Sequence, residues 1–79
     1  MSYMNTRAIR ETCDFIVREW ADAAVRKNTS TFAICEQSLL MTSGAFCKKF
    51  GVHPYMKRAL KNQDALEMAR SQMRSYCFR

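Results

Sequence analysis

The chain has 79 residues, 48% hydrophobic and 25% charged, which suits one globular domain around a single core and is too short for two. Its longest unbroken apolar run is Phe32-Ala33-Ile34-Cys35, far below the roughly 20 residues a membrane-spanning helix needs. The formal net charge of +6 is unevenly spread: residues 1–30 carry five basic and four acidic side chains, residues 31–79 eight and three. Between Gln37 and Gln63 there is no carboxylate, yet Lys48, Lys49, Lys57, Arg58 and Lys61 all fall there.

No stretch alternates apolar and polar residues long enough to read as a strand, whereas helical spacing recurs. The first helix is predicted from about Thr6 to Lys27. Ile9, Cys13, Ile16, Trp20 and Ala23 share one face, widened by Phe15, Val17 and Ala24. Arg10, Asp14, Arg18, Asp22 and Arg26 alternate in sign at i,i+4 and read as a solvated ion-pair ladder. Asn28-Thr29-Ser30 then stops the helix and offers a hydroxyl cap to the next. That second helix, about Thr31 to Met41, places Phe32, Cys35 and Leu39 together with Ile34 and Leu40 nearby. With so few polar residues it is expected to be the most buried helix, with neighbours on several sides and Trp20 beneath it.

Thr42 or Ser43 can cap a short third helix with Phe46, Cys47 and Phe50 inward and Lys48 and Lys49 outward, ended by Gly51. Val52 plugs the turn, His53 takes the cap position and Pro54 the first helical position. Met56, Ala59 and Leu60 then point inward, Tyr55, Lys57, Arg58, Lys61 and Asn62 outward. Asp64, answered by Glu67, can cap a further helix, or residues 54–77 can form one long one. Leu66, Ala69, Met73 and Tyr76 line the face of this last segment. The expected fold is all-α, a single domain (1–79) built as a compact bundle of four or five helices.

Cys13, Cys35, Cys47 and Cys77 contain no CxxC pair, and the start of the chain runs into Arg7 and Arg10 without the apolar stretch of a secretion signal. Reduced, mostly buried thiols and a cytoplasmic location are expected. The lone histidine, His53, leaves no pair for nucleophilic catalysis, and no phosphate-cradling glycine loop is present, so neither an enzyme nor a bound cofactor or metal is expected.

The stretch Phe46-Cys47-Lys48-Lys49-Phe50-Gly51-Val52-His53-Pro54 resembles the first helix and turn of the helix-turn-helix superfamily, with a small residue four before the turn glycine, an apolar residue just before it and an aliphatic just after. The resemblance spans Phe46–Leu60. It departs from the pattern six residues after the glycine, where Lys57 replaces an apolar residue and Met56 stands one position early. It implies a DNA-binding regulator in which the helix from Pro54 enters the major groove.

The same piece of chain carries the carboxylate-free basic stretch, so Lys48, Lys49, His53, Tyr55, Lys57, Arg58, Lys61 and Asn62 are the candidate binding residues. Lys57, Arg58, Lys61 and Asn62, with Tyr55 and His53 at the helix start, would supply both cations for phosphates and side chains for base edges, while Lys48 and Lys49 are placed for backbone contacts. The expected partner is duplex DNA. The alternative is an inhibitor or adaptor gripping an acidic protein surface, and a homodimer is compatible with either. Membrane-surface binding is not expected, because Tyr55, Met56 and Leu60 make too small an apolar wedge.

Overall fold

Helical periodicity, capping residues and one glycine turn place five helices in the computed structural model, which describes residues 6–77, with side chains through residue 75. They are α1 (Thr6–Arg26), α2 (Thr31–Leu40), α3 (Ser43–Phe50), α4 (Tyr55–Ala59) and α5 (Gln63–Cys77), with no strand among the described residues. The protein is an all-α bundle. No helix among the described residues is long and apolar enough to cross a membrane.

Each boundary has a local cause. Asn28 adopts the left-handed conformation (φ 52°), and the Thr29 and Asn28 N–H groups return to the carbonyls of Ala24 and Val25. That is the double hydrogen bond of a Schellman ending, with asparagine where glycine is commoner. Ser30 Oγ and Thr42 Oγ1 accept from the N–H groups of Ala33 and Ala45, capping α2 and α3. Gly51, at φ 62°, donates its N–H to the Cys47 carbonyl and closes α3. The question left open for residues 54–77 resolves as two helices, α4 and α5. The cap of α5 is Asn62, whose Oδ1 accepts from the Ala65 N–H at 3.2 Å; Asp64, the expected cap, is exposed within the first turn.

α1 is the spine and packs against α2, α4 and α5; α3 rests on α4 and α2, and α5 on α2. The predicted face of α1 is the one that is covered. Cys13, Ile16, Trp20, Ala23 and Ala24 are buried, with Ile9, Phe15 and Val17 at the margin. Ile34, Cys35, Phe46, Phe50, Met56, Ala59, Leu60, Ala65, Ala69 and Met73 complete the core. Tyr76, expected on the same face of α5, has its side chain outside the described residues. Trp20 is fully buried, and its Nε1–H has no hydrogen-bond partner among the described residues.

Two expectations for the outer surface need correction. α2 has the expected neighbours, α1, α3 and α5, but is less enclosed than its composition suggests: Ile34, Cys35 and Ser38 are buried, whereas Leu39 is 38% and Leu40 87% exposed. The alternating stripe of α1 forms no ion-pair ladder. Among the described residues the ion pairs are Arg7–Glu11 and Glu67–Arg70, both on exposed helix faces where they contribute little. Arg26 turns away from Asp22 and donates to the Phe50 carbonyl at 3.1 Å, where the negative end of α3 attracts a cation.

Candidate nucleic-acid interface

The α3–turn–α4 hairpin exists because its apolar residues point the other way. α4 has five residues, about 7.5 Å of helix, too short to persist in water unaided. Met56 (0% exposed), Ala59 and Leu60 pin it to α1, leaving Lys57, Arg58 and Lys61 outside. The inward residue is Met56 and the outward one Lys57, as the departure from the helix-turn-helix spacing requires. The N-cap of α4 is Pro54 (φ −55°, ψ −30°), not His53 as expected, and α4 begins at Tyr55; the His53 ring, just before the cap, accepts the Tyr55 N–H on Nδ1 at 3.0 Å.

All five cations of the basic stretch are exposed, and among the described residues none is ion-paired to a carboxylate. Lys48 and Lys49 stand on the last turn of α3. The Lys49 ammonium lies 3.4 Å from Gln37 Oε1 and 5.4 Å from the centroid of the Phe50 ring. Lys57 reaches back over the start of α3, where a Cβ on Gly44 would meet its Cε at 3.8 Å. Burial pushes the nearby Cys47 thiol above its ordinary pKa; the Lys57 charge opposes that rise and Glu19 adds to it. Arg58, Lys61 and Asn62 line a shallow groove together with Tyr55, Ala8 and Thr12 of α1, and Asp64.

The polar and aromatic candidates are more constrained than the lysines. Phe15 lies between the two rings at the start of α4, 6.0 Å from His53 and 5.2 Å from Tyr55, both edge-to-face. Glu19 Oε1 accepts the His53 N–H at 3.1 Å, so one α1 carboxylate is tied to the turn. The Asn62 amide oxygen is occupied as the cap of α5. His53, Tyr55 and Asn62 therefore hold the hairpin on α1 and α5, while the cations carry its exposed chemistry.

Folding also brings in two cations that the sequence reading left out. Arg26 ends α1 and Lys27 follows it; Lys27 sits 5.8 Å from the centroid of the Phe50 ring that Lys49 also meets. Two ammonium groups over the Phe50 ring, with the Arg26 guanidinium on the Phe50 carbonyl, extend the basic surface past α3 onto α1. The only sequence signal was the pairing Arg26-Lys27 at a helix end, which the alternating stripe disguised as ladder chemistry. Compared with known protein families, with curated proteins and with solved structures, the chain matches none.

Proposed function

We propose that the protein binds duplex DNA through the helix-turn-helix-like segment α3–turn–α4, chiefly by way of the phosphate backbone. The observation that supports this reading is the exposure of Lys48, Lys49, Lys57, Arg58 and Lys61 without a carboxylate partner among the described residues. Cations left unneutralised by their own chain exchange condensed counterions for protein contact, and this drives sequence-independent binding. A five-residue α4 spans less than the roughly 12 Å width of the major groove, so base reading is confined to the few side chains at its tip, and sequence preference is modest.

Anisotropy of a labelled duplex titrated at several salt concentrations tests the proposal. Five phosphate contacts give a slope of log K against log salt of about −4.5, a loss of roughly 500-fold between 50 and 200 mM. Lys57→Ala with Arg58→Ala should lower the slope to about −2.7, and the loss to roughly 40-fold, on any sequence. A flat response below about 100 mM salt removes nucleic acid and leaves an acidic protein surface as the target of the same cations.

A further inference from the structure

The composition of α2 and its surroundings disagree. Of its ten residues only Glu36 is charged, the pattern of a helix covered on most sides. Yet α1, α3 and α5 cover only the side bearing Ile34, Cys35 and Ser38. Leu40 is 87% and Leu39 38% exposed, and Phe32 is half-buried beside them. Next to this strip runs a groove of about 130 Å³ between α2 and α5, with Phe32, Cys35 and Leu39 as its apolar lining and Glu36, Arg70 and Arg74 as its charged rim. Arg70 is paired with Glu67 at 3.4 Å. Glu36 and Arg74 are both exposed, and among the described residues neither has an ion-pair partner.

We propose that this α2–α5 face is covered by a second copy of the chain, related by a two-fold axis. In a two-fold contact the same patch meets itself, so its charges must be self-complementary. A uniformly basic rim, like that of α3–α4, would repel its copy and favour an acidic partner. Here Glu36 and Arg74, neither ion-paired among the described residues, line the same groove as Phe32, Cys35 and Leu39, so Glu36 of each copy faces Arg74 of the other while Leu39 and Leu40 leave water. The contact leaves α3 and α4 exposed and does not depend on what they bind.

Sedimentation equilibrium of the full chain without nucleic acid tests the proposal. A dimer is expected at tens of micromolar. Leu40→Asp alters a surface side chain, so its circular dichroism should match the parent, while two lost leucine burials per dimer raise the dissociation constant by on the order of a hundredfold. Arg74→Glu alone should weaken association several-fold, and Glu36→Arg with Arg74→Glu should restore it. A monomer at several hundred micromolar overturns the proposal, as does a dimer that tolerates Leu40→Asp. Failure of the double reversal to restore what Arg74→Glu loses overturns the two-fold pairing, and with it the choice of a copy as partner.

Discussion

Replacing Met56 by alanine tests whether the basic hairpin is held by one buried side chain. Met56 is fully buried and is the largest buried side chain of α4; Ala59, Leu60 and the edge contact of Tyr55 with Phe15 are the other anchors. Truncating a buried methionine costs about 2–5 kcal/mol, the higher end applying where rigid neighbours cannot close the gap. At 79 residues the unfolding entropy near the midpoint is about 0.17 kcal/mol/K, so a loss of about 3 kcal/mol lowers Tm by about 18 °C. In a domain whose whole stability is only a few kcal/mol, that leaves a substantial unfolded population at 25 °C. Differential scanning calorimetry should show this fall, with Met56→Leu, which keeps the volume, losing less than about half as much. Lys57→Ala, one residue along on the exposed side, should move Tm by no more than about 3 °C. A drop below about 5 °C for Met56→Ala would show that α4 is not anchored through this residue, and the argument for how the cations are presented would go with it.

The two glycines should respond in opposite directions to alanine. At Gly51 space is open but φ is +62°, so Gly51→Ala should cost about 1–2 kcal/mol in urea melts; Gly44 lies inside α3 with Lys57 Cε at an ordinary 3.8 Å, so Gly44→Ala should stabilise by about 0.5–1 kcal/mol. Equal effects at both positions would contradict the backbone assignment. Burial pushes the thiols of Cys13 and Cys47 above their ordinary values, in Cys13 with Asp14 adding and Arg10 opposing. The folded state then holds those protons more tightly than the unfolded one, so their stabilising share is intact below about pH 8.5 and is lost as pH rises through the folded values. Urea stability should decline over that alkaline range, and less steeply in Cys47→Ala; an unchanged pH profile would argue against the burial of this thiol.

Periodicity and end signals made much of the bundle legible in one dimension. Spacings of three and four chose the buried face of α1, Thr42 and Gly51 bracketed α3, and the phase of Met56 against Lys57 put the cations outside. These are local matters, decided within a turn or two of helix. Where two nearby residues compete for one role, local signals do not discriminate, and so Asn62 rather than Asp64 caps α5.

What lay beyond one-dimensional reading was which faces acquire neighbours. α2 has the composition of an enclosed helix, but helix packing covers one side and leaves Leu39 and Leu40 in water. Arg26 and Lys27 belong to the nearly neutral first third of the chain, and only the return of α3 beside the end of α1 sets them around Phe50. Likewise Phe15, read as part of a broad apolar stripe, becomes the ring on which His53 and Tyr55 rest. Helical spacing says which side chains share a face, whereas their partners are set by the angles at which several helices pack at once, and those are properties of the assembled core.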